Sequence, residues 1–555
     1  MSNLREYVIT LHTHDDLDSF YEDMETLRPT QYGCMPERAV ECYDRRPVSR
    51  NTHYLLTDEE AETLKNDLRI AGVSPSAKEL GLEITPHWTE TSSNWNRGTD
   101  STVNAHRNWG LYRSQLDYNL YDWGADQTAS KSATVSVNAS GKNVDVIICD
   151  GHLNPDHPEF AKNSNGTGGS RVIQFNWLSL NPLVDGTPAG ATYTYTPYID
   201  PNYGSNLRTT DNDHGCHVAG TSCGNTQGWA RDANIYNINP YSTNQNYIPG
   251  DKIFDYIKVF HQQKAINPAT GRKNPTICTN SWGYSRNGLI SNISYISYGG
   301  QIIQGPFTRE QAGLYDLFNG FTNGFYSAPQ RVSYVDADIE DCIAAGIIMV
   351  GAAGNSYQKQ LLPTDTYYNS FIKDQFLAYN TYYLRGGTPG ASMITVGAMS
   401  ADQLEYKAAF SNCGPAIDIY APGENILSSV NSNLKGGTYD SRNDQYLICK
   451  YNGTSMACPQ VTGLLACALE TYPNMSHADA LQYLLDNCLT DQMFNRTPVD
   501  AGDYYSLQGS PNRMLHFKQE RPSGGNVYPK INCKTRPTSG QIWPRPRIYR
   551  YGPQS

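Results

Sequence analysis

The sequence predicts an α/β protein: a mainly parallel, doubly wound sheet covered by helices, preceded by a small α+β unit. Three observations carry this. Continuous apolar β-runs alternate with helical segments from about residue 108 onward, the pattern of strands buried on both faces. The first 90 residues follow a different, shorter rhythm of strand and acidic helix. A polar, Gly/Ser/Asn-rich stretch, "TSSNWNRGTDSTVNAHR" at 91–107, reads as a linker between them. With 555 residues the chain exceeds one compact core. At 39% hydrophobic and 17% charged residues it is globular rather than disordered.

In residues 1–90, "EYVITL" predicts a strand and "DLDSFYEDMETL" an acidic amphipathic helix. "RNTHYLLT" predicts a second strand, "DEEAETLKNDLRI" a helix with acids in its first turn, and "LGLEITP" a last strand. In residues 108–517 the strands are "NVDVIICD", "NIYNINPY", "PTICTNSW", "IIMVGAAGN" and "SMITVGA". The segments "DKIFDYIKVFHQQK" and "VDADIEDCIAAG" supply helices between them. Two aromatic-rich insertions, 285–334 and 356–388, interrupt the alternation and read as long loops, of the kind that form lids or binding surfaces. The last segment, 518–555, is rich in Pro, Gly and Arg and reads as a tail wrapped on the surface or reserved for an assembly partner.

The net charge of −11 is uneven, because the tail holds eight Lys and Arg against one acid. The acidic body argues against nucleic acid as a partner. No apolar run is long enough for a membrane span. The start, "MSNLREYVITLHTHDDL", lacks the features of a signal peptide, so a cytoplasmic or virion-associated location is expected. The 13 cysteines are odd in number and several sit in apolar runs (Cys149, Cys278, Cys342, Cys467), which predicts buried free thiols rather than a disulfide framework. No C-x-x-C pair points to zinc.

The chemistry gathers at strand ends and helix starts. "NVDVIICDGHLNPDHPEF" ends its strand at Asp150. "DNDHGCHVAGTSCGN" opens a small-residue helix at His214, with His217, His152 and His157 as competitors. "IIMVGAAGN" ends at Asn355, and "YNGTSMACPQVTG" opens a helix at Ser455. In a parallel sheet all four fall at one edge, the carboxyl ends of the strands. Taken singly, each has a simpler reading: Ser455 as a helix cap, Asp150 as a strand-end cap, Asn355 as a turn residue. Taken together they are the types nucleophilic catalysis needs. A serine hydroxyl requires a base, the base an orienting carboxylate, and the tetrahedral intermediate an oxyanion donor.

The order Asp…His…Ser, with "DGHLNPDHPEF", "HGCHVAGT", "AAGN", "FSNCGPAIDIYAPGENI", "GTSMACPQVTG" and "SPNRML", resembles the subtilisin-like serine proteases over about 108–517. The resemblance implies a serine endopeptidase acting on polypeptides through an acyl-enzyme. Asp150 would orient, His214 act as base, Ser455 as nucleophile and Asn355 as oxyanion donor. Residues Ser281, Trp282 and Gly283, with Ala352, Ala353 and Gly354 (in 351–354), would wall the substrate site. No cofactor is required for that chemistry; structural calcium is frequent in the family, but no ligands can be assigned. Cys149, Cys216, Cys458 and Gln460 depart from the usual motifs without removing a catalytic group. The front unit resembles, in layout, the inhibitory prodomain of these enzymes, which would make it an intramolecular inhibitor released by autocleavage within roughly 87–107. The competing reading is a catalytically silent or virion-associated structural protein on the same fold.

Overall fold

A computed structural model describes residues 4–26, 34–43, 51–75, 79, 88–95, 107–119, 131–190, 213–240, 248, 250, 252–305, 307, 325–377, 380–402, 404–430, 437–495 and 504–517. They fall into two compact units, one within Met1–Ile84 and one spanning Thr85–Gln519. The tail at 518–555 lies outside the described residues, as does the predicted strand "LGLEITP".

The first unit is an antiparallel three-stranded sheet in the order Asn51–Leu56, Arg5–Leu11, Ile70–Pro75. Alternation along Arg5–Leu11 buries Tyr7, Ile9 and Leu11 on one face. Phe20 and Met24 of the helix Leu17–Thr26 pack into the same core, where Phe20 meets the edge of Tyr54 at 5.9 Å. The second helix is shorter than expected: Thr57 and Glu60 form a capping box, the helix ends at Leu64, and Ile70 opens the last strand.

The larger unit is built on eight strands: β1 (Asp145–Cys149), β2 (Asn234–Ile238), β3 (Thr276–Asn280), β4 (Ile348–Ala352), β5 (Ile394–Met399), β6 (Ile419–Pro422), β7 (Leu489–Thr490) and β8 (Arg513–Met514). Their order is β7-β8-β6-β5-β4-β3-β1-β2, parallel throughout except for the β7–β8 pair. The strands are buried on both sides, so successive residues enter different cores. Val146, Ile148, Ile277 and Val350 join the cluster under helices α1 (His214–Cys223) and α4 (Thr454–Thr471). Ile147, Cys149, Cys278 and Met349 join the cluster under α2 (Ile253–Gln263) and α3 (Ser333–Ala344). This explains why the strands read as unbroken apolar runs. From β1 the chain steps outward to β2, then crosses back to β3. That reversal makes a crevice at the carboxyl ends of the strands.

Two expectations are corrected. Residues 91–95 are not linker: Trp88–Trp95 is a strand paired antiparallel with Lys131–Val137, and it belongs to the larger unit. The insertions are not merely loops. Tyr284–Leu289 pairs with Phe325–Gln330 as one antiparallel ribbon. Gln301–Ile303, Ile293–Tyr298, Phe371–Asp374 and Thr381–Tyr382 form a four-stranded sheet. Ile296, Tyr326, Ile372 and Tyr383 fill a separate apolar cluster there, so part of the aromatic content builds a core of its own. No helix among the described residues is long and apolar enough to cross a membrane.

Candidate active site

Strand β1 delivers Asp150. Its backbone N–H still donates to Ile238 O at 3.0 Å, so the residue is held at the sheet's edge. Its carboxylate is fully buried, and Oδ1 accepts from Gly151 N at 2.7 Å and from His214 Nδ1 at 2.8 Å. The imidazole side chain keeps 27% of its surface exposed, leaving its outer edge within reach of solvent. The close start of α1 beside β1 depends on Gly215, where a Cβ would lie 1.9 Å from Gly151 O.

The competing histidines are occupied elsewhere. His217 is buried, its Nε2 lies 2.9 Å from Ile426 O and 3.1 Å from Cys449 O, and its ring stacks on Tyr451 at 4.5 Å. His157 Nε2 lies 2.9 Å from Leu447 O, while its Nδ1 accepts from Glu159 N at 3.1 Å; burial lowers its pKa and keeps it neutral. His152 belongs to the turn just past Asp150, and the imidazole on the Asp150 carboxylate is that of His214.

Ser455 is the second residue of α4, and its environment is set by a proline. Pro459 has no N–H, so the Ser455 carbonyl four residues earlier lacks its helical donor. The Ser281 hydroxyl takes that place, donating to Ser455 O at 3.0 Å. In return Ser455 Oγ donates to Ser281 O at 3.2 Å, rather than to the imidazole. The structure thus brings Asp150 and His214 into contact and ties Ser455 to Ser281.

Asn355 follows Gly354, which adopts a φ of +103°. Its Oδ1 accepts from both the N–H and the hydroxyl of Thr454, each at 2.8 Å. Those two donors identify the oxygen and turn the amide nitrogen the other way. The Ser455 N–H lies in the first turn of α4, where backbone donors have no helical acceptor. Nδ2 of Asn355 and N of Ser455 each lie 3.4 Å from the point where a Cβ on Gly453 would sit, so two donors converge on one small space that a side chain would fill. Asn412 braces the loop from behind: Oδ1 accepts from Ser356 N at 3.1 Å and Gln358 N at 2.8 Å, and Nδ2 donates to Ala353 O at 2.7 Å.

Asn355 and Ser455 open into a cavity of about 170 Å³ that Ser281, Trp282, Gly283, Ala352 and Gly354 also line. Ala353 does not line it, which corrects its expected role. It is fully buried, and its carbonyl is taken by Asn412 and Gln360. Thr454 and Asn412 were not singled out by sequence reasoning, although both stand inside the quoted motifs.

Gln460 is buried and accepts from Trp229 Nε1 at 3.0 Å, away from His214. Among the described residues every cysteine is free and all but Cys488 are buried. Burial pushes the Cys216 thiol up to about 12 and the Cys458 thiol up to about 11, so neither is a thiolate at neutral pH. Also among the described residues, no group of three His, Cys, Asp or Glu converges as a metal site. The acids Glu159 and Asp440 are already met by Arg442.

The sequence profile of the Peptidase S8 subtilase family matches residues 141–501. The chain is 31% identical over 175 residues to Subtilisin DY of Bacillus licheniformis, covering 32% of this chain and 50% of that protein. It is 28% identical over 209 residues to the subtilase-type proteinase RRT12 of Saccharomyces cerevisiae, covering 37% and 34%. It therefore spans at most half the length of these relatives. A crystal structure of a cold-adapted subtilisin-like serine proteinase aligns with a TM-score of 0.41 at 17% identity, over 75% of this chain and 98% of that one.

Proposed function

Because the chain belongs to the subtilase family, we propose that it is a serine endopeptidase working through Asp150, His214 and Ser455. The observation that carries this is the 2.8 Å contact between the buried Asp150 carboxylate and His214 Nδ1. That contact places the Nδ1 proton toward Asp150 and leaves Nε2 as the basic nitrogen. When a peptide carbonyl enters the cavity, Ser455 Oγ leaves Ser281 O and passes its proton to Nε2. Asp150 stabilises the imidazolium that forms. The oxyanion settles between Asn355 Nδ2 and Ser455 N, donors already oriented before the reaction. The imidazolium then protonates the leaving amine. Water hydrolyses the acyl-enzyme by the same proton path in reverse.

The compact front unit, with a sheet and core of its own, supports the further reading that it is an inhibitory domain removed within 87–107. Both readings are tested by intact mass and fluorophosphonate labelling of the purified chain beside Ser455→Ala. The wild type should split in that stretch and label at Ser455, while the variant stays at 61.7 kDa and unlabelled. A wild type that neither splits nor labels would leave a silent protein on this fold. Labelling without splitting would retain the protease and remove autoprocessing.

A further inference from the structure

One buried charge has no part in the reaction steps above. Lys407 is fully buried, a rare place for a lysine. Its Nζ donates to Ala408 O and to Ser411 O, each at 2.9 Å, and lies 4.4 Å from the centre of the Tyr357 ring. Two carbonyl dipoles and an aromatic face thus meet the ammonium. These partners come from two segments. Ala408 and Ser411 belong to the turn that leads into Asn412, and Tyr357 stands two residues past Asn355.

The same two segments are stitched to each other. Asn412 N donates to Gly354 O at 2.9 Å, Tyr357 N to Phe410 O at 2.8 Å and Cys413 N to Gln358 O at 3.0 Å. Tyr357 is held there at a φ of +53°, a conformation that a residue other than glycine keeps only when its surroundings impose it. A methionine in place of Lys407 would fill similar volume with no charge to bury. It could not satisfy the Ala408 and Ser411 carbonyls, nor attract an aromatic face toward them.

Resting on the proteolytic reading above, we propose that Lys407 is a positioning residue for the oxyanion donor. Its ammonium ties the turn that carries Asn412 to the Tyr357 ring. That tie fixes the loop from which the Asn355 amide points before substrate arrives. Lys407 does not line the cavity. It acts through Asn355, so its loss matters only while that amide is there to be misplaced.

The test is a double-mutant cycle on the full chain: Lys407→Met, Asn355→Ala and the two together. Each is checked for folding by circular dichroism and assayed with a p-nitroanilide peptide ending in Leu. In the wild-type background Lys407→Met should lower kcat by about 10–10²-fold, with KM within about twofold. In the Asn355→Ala background the same substitution should cost less than about twofold, because the group it positions is gone. An equal loss in both backgrounds would make Lys407 a purely structural residue and overturn the inference. An unchanged kcat in the folded single variant would overturn it too. If Lys407→Met does not fold, Tyr357→Leu takes its place in the cycle. That variant leaves the ammonium on its carbonyls and removes the ring, so kcat should again fall only where Asn355 is present; an equal or absent loss overturns the inference. Fluorophosphonate labelling of the wild type separates the two readings. If Ser455 labels and the cycle is additive, this inference falls alone. If Ser455 does not label, the proteolytic reading falls and takes this inference with it.

Discussion

Two buried carboxylates, Asp150 and Glu159, stand nine residues apart in sequence and have opposite fates. Glu159 is saturated. Burial alone would raise its pKa, but the Arg442 guanidinium and the Thr226 hydroxyl and N–H outweigh that and hold it down to about 2. Its Oε2 also accepts from Gln227 N at 3.1 Å. Arg442 is in turn bound to Asp440 at 2.6 Å, so the group joins the segment after β1, the turn after α1, and the turn that precedes the strand leading to α4. Asp150 is used on one oxygen only: Oδ1 meets Gly151 and His214, while Oδ2 is buried with no partner among the described residues. A clamp spends every acceptor on fixed donors. A catalytic carboxylate keeps its field for a charge that appears during the reaction. An unmatched buried oxygen is costly in a structural role and explicable in a functional one.

Substitutions should separate the two roles. The largest expected effect is Asp150→Asn, which replaces the acceptor by an amide that stabilises the wrong imidazole tautomer. Turnover should fall about 10⁴-fold, with the melting temperature nearly unchanged. Equal losses of activity and stability would erase the contrast with Glu159.

Glu159→Gln should do the reverse, leaving Arg442 buried with a partner lost. Unfolding should become easier by about 3–5 kcal/mol, while protein that remains folded keeps its turnover. The pH dependence sharpens this. Glu159 is depressed from 4.5 to about 2 on folding, so its contribution is complete above about pH 4.5 and is lost as pH falls toward 2. Thermal melts of the wild type should drop through that window, and the Gln variant should show a flatter acid limb.

Asn355→Ala is the smallest of the three. It removes one of the two proposed oxyanion donors and should cost roughly 10²–10³ in kcat with little change in KM, a magnitude established on a subtilisin and carried over here. Thr454→Val, which removes the hydroxyl and leaves only the backbone N–H of residue 454 to hold the Asn355 amide, should fall in the same direction by less. A rise in KM alone would assign Asn355 to substrate binding instead.

The four residues at strand ends were legible because each follows a strong local signal. An unbroken apolar run ends at Asp150 and at Asn355, and a small-residue helix begins at His214 and at Ser455. Their motifs also stand in a fixed order. The supports were not legible. Pro459 can be read in the sequence, but the hydroxyl that satisfies the carbonyl it orphans comes from Ser281, 174 residues from Ser455. Asn412 braces a loop 59 residues away in sequence. Strands β6, β7 and β8 are short and were not predicted as strands; only successive pairing outward from β5 (β6 on β5, β8 on β6, β7 on β8) makes them strands.

The sequence by itself determined the two-unit layout, the parallel sheet and the placing of the candidate residues at strand ends and helix starts, because period, run length and residue type are local properties that burial on both faces enforces. Tertiary structure alone decided which histidine meets Asp150, where Ala353 points, and that aromatic insertions become a ribbon against the cavity. Those outcomes depend on hydrogen bonds and close approaches between segments far apart in the chain, and no local pattern encodes their distances.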